Sequence, residues 1–587
     1  MTLARRTRSA AALLLPLAAV AVGFAATSTA ARAETWFREV AAAWGLDVRH
    51  HHGGSGARYM VETMVGGVLV FDYDDDGDAD VLFVDGGHLP GYEGEPARTR
   101  LLRNEGVAPG EPGSAPRPSF VDVTDSAGID FGGYGCGAAA GDVDGDGDQD
   151  VYLTAFGANA LYRNQGDGTF VEVAREAGVA DQQWSSSATF FDPDRDGDLD
   201  LYVVSYVDFS LDHHVFCGDE AKGIRGYCHP DVYQGLPDRL YRNRGDGTFE
   251  EVAQASGLGT AVEAGLGVVA ADLDLDGWPD LYVANDLDPN LLFHNRGDGT
   301  FEDVSLLSGA AYSHLGKPEA GMGVEAADLD GDGALDLVVT NFALETNAFY
   351  RNVGGMTFID RRFPSRLAEP SLRVLGFGVA AHDFDHDGDL DLLVANGHIL
   401  DNAELLSNVK EYAQPNQLYA NRGDGVFDLI ADAVATSEEG PSGWRVSRGL
   451  AAGDLDGDGD LDAVLVSSNQ VAEVYENVAA SGSWLQVDLL ALAPGGGSTA
   501  ARAKNGGGLR STRDAIGARL EWTPAGAGAP AVRERRTGSS YLSQSALPVH
   551  FGWSAATGGV LEVRWPGGSR LRLERVPASR RIQVIGR

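Results

Sequence analysis

Seven times the chain repeats the pattern Asp-x-Asp-x-Asp-Gly-x-x-Asp, beginning at Asp72, Asp142, Asp192, Asp272, Asp328, Asp383 and Asp454. Four carboxylates this close repel one another unless a cation sits among them, and an all-oxygen donor set of that density suits Ca2+. Positions one, three, five and nine are read as side-chain ligands and position seven as a carbonyl ligand. The first loop offers Asp72, Asp74, Asp76 and Asp80 with the carbonyl of Asp78; the second, Asp142, Asp144, Asp146 and Asp150 with Asp148. The third has Asp192, Asp194, Asp196 and Asp200 with Asp198, and the fourth Asp272, Asp274, Asp276 and Asp280 with Trp278. The fifth has Asp328, Asp330, Asp332 and Asp336 with Ala334; the sixth, Asp383, Asp385, Asp387 and Asp391 with Asp389; the seventh, Asp454, Asp456, Asp458 and Asp462 with Asp460. Trp278 and Ala334 at position seven agree with a backbone role there. The glycine at position six permits the sharp turn that returns the ninth residue to the ion. Up to seven Ca2+ ions are expected. So full a ligand set leaves little open coordination for a substrate, which favours structural over catalytic metal.

An EF-hand starts the same way but needs a bidentate glutamate at position twelve, where Phe83, Leu153, Val203, Val283, Val339, Val394 and Leu465 stand. The flanking runs, such as Leu201-Tyr-Val-Val204, are β-branched and aromatic, so these loops join strands. A second signature alternates with the first: Leu161-Tyr-Arg-Asn-Gln-Gly-Asp-Gly-Thr-Phe170, with relatives ending at Phe249, Phe301, Phe358 and Phe427 and weaker forms at Leu101 and Val474. Gly-Asp-Gly between apolar runs marks a tight turn between strands. Each unit therefore holds four short strands, and units repeated over residues 36–478 predict an all-β fold, a seven-bladed β-propeller. Trp36-Phe37-Arg38-Glu39-Val40 matches the Phe-x-Glu-Val after later turns, so the first strand is a candidate to complete the last blade; the strand phase stays open. Loop spacing assigns long insertions to blades 1, 3 and 6. Five residues before each loop stand Gly67, Gly137, Ser187, Gly267, Gly323, Gly378 and Gly449, small enough for innermost strands to crowd around a channel.

Residues 1–33 read as a secretory signal, with Arg5, Arg6 and Arg8 before an apolar stretch closing at Ala31-Arg32-Ala33. No later segment is apolar for long enough to span a bilayer, so an exported protein, periplasmic or extracellular, is expected. Residues 479–587 hold 15 Arg and Lys against 6 Asp and Glu, whereas residues 34–478 carry a net −54. Even with Ca2+ bound, that body repels nucleic acid and anionic lipid. The basic tail suggests docking on the acidic body, with a solvated surface as the alternative. Cys217 and Cys228, eleven residues apart in one insertion, are expected to pair, leaving Cys136 buried and inert.

The two alternating signatures resemble the FG-GAP/VCBS repeats of integrin α-subunit propellers. The tail, with Arg513-Asp-Ala-Ile-Gly-Ala-Arg519, Gly538-Ser-Ser-Tyr-Leu-Ser-Gln-Ser545, His550-Phe-Gly552 and Val563-Arg-Trp-Pro-Gly567, resembles the ASPIC/UnbV domain. Together they resemble the cartilage acidic protein 1 family in its bacterial branch. The resemblance implies an extracellular calcium-binding propeller and a small β domain, which after the signal segment at 1–33 take residues 34–478 and 479–587. Departures are local: Phe551-Gly-Trp-Ser554 replaces the usual Phe-Gly-Leu-Gly, and an insertion near Pro109 to Pro118 replaces the first turn. The tail also reads as all-β from its residues, with strand-like runs at 484–490, 518–522, 560–565 and 580–585 and a Gly-rich loop at 495–508.

No nucleophile elbow, His-Glu-x-x-His, phosphate loop or dinucleotide fingerprint is present, so no catalytic or organic-cofactor residue is assigned. His50-His51-His52 reads either as a transition-metal site or as solvated loop; His213, His214, His229 and His398 are further candidates. Glu62, Glu263, Glu319, Arg373 and Arg445 precede innermost strands and either converge at a channel mouth or are ordinary strand-start charges. The expectation is a calcium-binding recognition or adhesion protein with an extracellular protein or glycan as partner. The alternative is an enzyme using the propeller funnel, in specialised metabolism by resemblance to UnbV-type proteins.

Overall fold

The computed structural model describes residues 35–108, 117–259, 262–431, 433–435, 444–491, 514–555 and 557–586. The expected signal segment and the Gly-rich loop at 495–508 lie outside them. Strand makes up 43% of the chain and helix 7%. Blade 1 is an antiparallel sheet of Val68–Phe71, Asp80–Phe83, Arg100–Ala108 and Arg117–Asp122. Blades 2 to 6 repeat the order, with innermost strands Tyr134–Gly141, Ser185–Phe191, Gly265–Ala271, Gly321–Ala327 and Gly376–His382. Blade 7 takes Ser447–Gly453, Asp462–Ser467 and Glu473–Asn477 from the end of the repeat region and Phe37–Glu39 from its start. Phe37 pairs with Asn477 in antiparallel register, so the first strand clasps the last blade and fixes the phase. Innermost strands touch in sequence order, and Ser447–Gly453 returns to Val68–Phe71 to close the ring.

The strands form because they are apolar on both faces, and they stay because each blade packs on two neighbours. Leu69, Leu82 and Leu101 of blade 1 meet Ala138, Val151 and Tyr162 of blade 2. Val464 and Val474 of blade 7 meet Val68 and Val81 of blade 1 in the closing core. Burying a leucine or valine this way is worth about 1.5–3 kcal/mol, and the closed ring leaves few free edges for further pairing.

The tail adds two sheets, Val549–Trp553 with Ser483–Ala491 and Arg580–Gly586, and Ala531–Glu534 with Arg519–Pro524, Gly559–Arg564 and Arg570–Val576. They enclose a core containing Leu485, Val487, Trp522, Phe551, Leu561 and Trp565. Between the two sheets the chain leaves this domain and enters the ring. Tyr541 and Leu542 lie in the axial apolar cluster with Met64, Cys136, Trp184 and Phe377 from several blades.

This inserted segment, 535–548, binds the innermost strands through polar groups. Val68 N–H donates to Ser543 Oγ at 3.1 Å, Ala138 N–H to the Leu542 carbonyl at 3.1 Å, Val324 N–H to the Ser540 carbonyl at 2.9 Å, and Ala452 N–H to Ser545 Oγ at 3.0 Å. Leu542 N–H donates to Ser187 Oγ at 3.2 Å. The small residues before the loops thereby gain a specific reason. A Cβ on Gly67 would lie 2.2 Å from the Leu542 carbonyl oxygen, and one on Gly137 would lie 2.8 Å from it. The channel anticipated from sequence is filled by the chain's own tail.

Candidate metal centres

Each acidic loop joins the first and second strands of its blade, so the loops share one face of the ring. Within a loop, backbone N–H groups hold the carboxylates. Gly77 donates to Asp72 Oδ2 at 3.0 Å and Asp78 to Asp76 Oδ1 at 2.9 Å. The ninth residue anchors the loop: Asp80 is fully buried and accepts from Tyr73 N–H at 3.1 Å and Asn104 N–H at 2.7 Å. Buried oxygens remain without any hydrogen-bond partner, among them Asp74 Oδ1, Asp142 Oδ2, Asp144 Oδ1, Asp192 Oδ1, Asp272 Oδ1 and Asp328 Oδ1. Leaving such acceptors unpaired costs about 1–3 kcal/mol each, more when they are charged. Burial, then the neighbouring Asp75, pushes Asp72 up to about 7; burial pushes Asp80 up to about 9. Potential ligand atoms of Asp72, Asp74 and Asp80 lie within 4.8 Å of one another, as do those of Asp142, Asp144 and Asp146. Orphaned carboxylate oxygens grouped in this way fit a hard cation.

The asparagine of the second signature has a part that sequence reasoning missed. Asn104, Asn164, Asn243, Asn295, Asn352, Asn421 and Asn477 donate through the backbone to the ninth aspartate of their own loop. Their side-chain amides donate to the second-position carbonyl in the loop of the preceding blade. Asn164 reaches Tyr73 at 2.7 Å, Asn243 reaches Val143 at 2.7 Å, and Asn104 closes the circuit on Leu455 at 2.9 Å. The signal was present: asparagine stands in all seven copies, whereas the residue before it varies.

The tail domain docks on this loop face, as its charge suggests. Arg519 donates to the Gly333 carbonyl at 2.8 Å, His550 Nε2 donates to the Gly459 carbonyl at 3.1 Å, and Arg581 donates to the Gly77 carbonyl; all three acceptors are sixth-position glycines. Gln486 donates to Asp454 at 2.7 Å, and Arg536 pairs with buried Glu325. Between domain and ring lies a cavity of about 690 Å³, lined by Asp72, Asp328, Asp454, Arg533, Glu534 and His550 among others.

The opposite face carries the insertions. The insertions of blades 3 and 6 meet each other and the lead-in segment 49–64, and the blade 1 insertion meets that segment through Asp85, which binds His51. Arg58 pairs with Asp401 at 2.8 Å, Asn402 donates to the Arg225 carbonyl at 2.9 Å, Tyr227 donates to Glu62 at 2.8 Å, and His214 Nε2 donates to the Ala57 carbonyl at 2.9 Å. The Cys217–Cys228 disulfide closes the blade 3 hairpin, with Cα atoms 5.1 Å apart. Cys136 is buried, and burial pushes its thiol up to about 12.

On this face the expectation for the histidines is corrected, and among the described residues the five strand-start charges are not joined to one another. His50 and His51 are buried rather than solvated, because Asp85 takes the His51 N–H at 2.6 Å and its ring Nδ1 at 3.0 Å. Glu62, Glu263, Glu319, Arg373 and Arg445 do not converge: among the described residues no hydrogen bond or ion pair joins any two, and Glu319 instead pairs with Arg362 at 2.8 Å. Among the described residues, the side chains of His213 and His229 bind their neighbours Ser210 and Asp231.

Comparison with known proteins agrees with this anatomy. The FG-GAP-like repeat model matches residues 142–203, 229–283, 272–339, 328–394 and 402–465, and the ASPIC and UnbV model matches 508–586. Human cartilage acidic protein 1 is 26% identical over 523 residues, covering 86% of this chain and 69% of that protein. The mouse protein of that name is 27% identical over 357 residues, covering 59% of this chain and 49% of its own length. A solved Agrocybe aegerita lectin that recognises non-reducing terminal N-acetylglucosamine aligns at 17% identity, covering 70% of this chain and 95% of its own, with a TM-score of 0.36, too low to bear on function. With repeats and tail domain joined in the same order across most of its length, the chain belongs to the cartilage acidic protein 1 family of FG-GAP-repeat proteins with an ASPIC and UnbV domain.

Proposed function

We propose that this is an exported, calcium-loaded propeller that recognises a protein or glycan outside the cytoplasm through the cap formed by its blade 1, 3 and 6 insertions. The observation that carries this is the meeting of the blade 3 and blade 6 insertions, neither needed to close the ring, with the lead-in segment that also binds the blade 1 insertion, in one composite face with exposed Val215, Phe216, Val232 and Leu405. Exposed apolar groups beside a disulfide-pinned hairpin suit a preorganised binding surface. Calcium is structural in this reading: the loops lie on the far face, and their orphaned oxygens and the docked tail support a role in cohesion. Relatives named for cartilage, together with the disulfide, support a place outside the cytoplasm. The alternative of an enzyme in the funnel draws no support from a channel filled by 535–548.

The test is to screen the calcium-loaded full chain on arrays of immobilised glycans and extracellular-matrix proteins. Binding that survives in an Asp142→Ala loop variant but is lost in Phe216→Ala/Val232→Ser supports the cap. Binding lost only through substitutions on the tail face overturns it. Elemental analysis of natively purified protein must find calcium.

A further inference from the structure

Blade 4 departs from its neighbours at one position facing its loop. In blades 2, 3 and 5 the residue before the clamping asparagine is arginine, and it pairs with the third-position aspartate. Arg163 Nε is 3.3 Å from Asp144, Arg242 Nε is 3.7 Å from Asp194, and Arg351 pairs with Asp330. Blade 4 has His294 there, with Nδ1 hydrogen-bonded to Asp280 Oδ1 at 3.1 Å and 3.6 Å from Asp274 Oδ2. An arginine has no lone pair and serves only as a cation, whereas an imidazole nitrogen bonds a metal directly.

The surroundings are those of a metal site. Ligand atoms of Asp274, Asp280 and His294 lie within 4.8 Å of one another, and so do those of Asp272, Asp274 and Asp276, with Asp274 common to both groups. Asp272 is only 8% exposed, and its Oδ1 has no hydrogen-bond partner. That orphaned oxygen, like those of Asp142, Asp192 and Asp328 in the other loops, fits a bound cation. The two imidazole–carboxylate separations bracket the roughly 3.3 Å edge of a tetrahedron built on bonds of about 2.0–2.1 Å, the lengths zinc makes to nitrogen and oxygen. Calcium takes oxygen donors and gains nothing from the imidazole.

We propose that the blade 4 loop is a mixed oxygen–nitrogen site selective for a first-row transition-metal dication, zinc foremost, with Asp272, Asp274, Asp280 and His294 as donors. The ring then carries two classes of ion, hard cations in the other loops and a borderline one here. The inference rests on the reading that the loops hold cations. The loop contains its own reporter: Trp278 stands at position seven, with the Arg195 guanidinium 4.1 Å from its ring centre.

The experiment uses the full-length protein in millimolar calcium, challenged with Zn2+ or Co2+, desalted, and assayed for each metal and for the visible spectrum of the cobalt form. Wild type should retain an equivalent of zinc or cobalt that His294→Arg and His294→Gln both lose, with calcium content and melting temperature otherwise preserved. The ligand-field bands of Co2+, and its quenching of the emission that Trp278→Phe removes, should vanish in both His294 variants. Equal zinc and cobalt retention in wild type and both variants overturns the proposal and leaves His294 as a stand-in for arginine. If calcium is absent from every loop while zinc retention still depends on His294, the calcium reading fails and this one stands.

Discussion

At one end of the ring every blade contributes the same nine-residue loop and the same asparagine, while the other end is assembled from three unlike insertions and the lead-in segment. The loop end is held by many equivalent bonds linking each blade to the one before, and the tail domain covers it. The cap is held by single contacts, such as Arg58 with Asp401 and Tyr227 with Glu62. Periodic construction distributes cohesion around the ring. Irregular construction places a distinctive surface at one spot. Cohesion and recognition are thus separable here, and damage to one end should leave a different signature from damage to the other.

Removing calcium should have the largest effect. A site held at 100 times its Kd contributes about 2.7 kcal/mol, so a few filled loops match the roughly 5–15 kcal/mol by which a folded domain is stable. A thermal melt in excess chelator should fall by at least about 10 °C; an unchanged melt would break the assignment of cohesion to the loops. Next comes the inserted segment. Leu542→Ala should cost about 2–5 kcal/mol, and denaturant unfolding should still show ring and tail melting together, since the segment touches strands of several blades.

Acid should act in part through the cap, alongside His382, His386 and His550 at the loop face, which burial also holds down. Burial holds His50 and His398 down to about 4. The unfolded chain protonates both below about pH 6.5 while the fold resists, so their contribution is lost as pH falls from about 6.5 to 4, roughly 3 kcal/mol each. Stability measured across that range should fall less steeply in His50→Gln than in the parent. Buried Asp238 and Asp286, raised to about 7 by burial, act with opposite sign, which is why the comparison with the variant is the decisive one.

Asn243→Ala unpairs the carbonyls of Val143 and Leu199 and should cost about 1–3 kcal/mol, read as a shifted midpoint of chemical unfolding. Replacing both Cys217 and Cys228 by serine should barely move the global melt. It should instead expose the 211–230 hairpin to limited proteolysis and weaken ligand binding; a large fall in melting temperature would show that the cap shares in cohesion after all.

Repetition made the loops, the four-stranded units and the joining of first and last strands legible in the chain, because an internal repeat compares itself. The same comparison contained the asparagine clamp and the odd histidine of blade 4, but the clamp's meaning needed a partner in another blade, and the histidine's needed the folded loop beside it. The segment around Tyr541 and Leu542 reads locally as a turn-rich stretch of the tail, and nothing in its own residues says that it crosses into the ring. Burial of His51 depends likewise on Asp85, thirty-four residues away. By itself the sequence determined an all-β ring of acidic loops, since strand propensity and metal spacing act within a few residues. What fills the axis, which insertions meet and which carboxylate oxygens lack a hydrogen-bond partner were decided by tertiary structure, because they depend on groups brought together only when the ring closes.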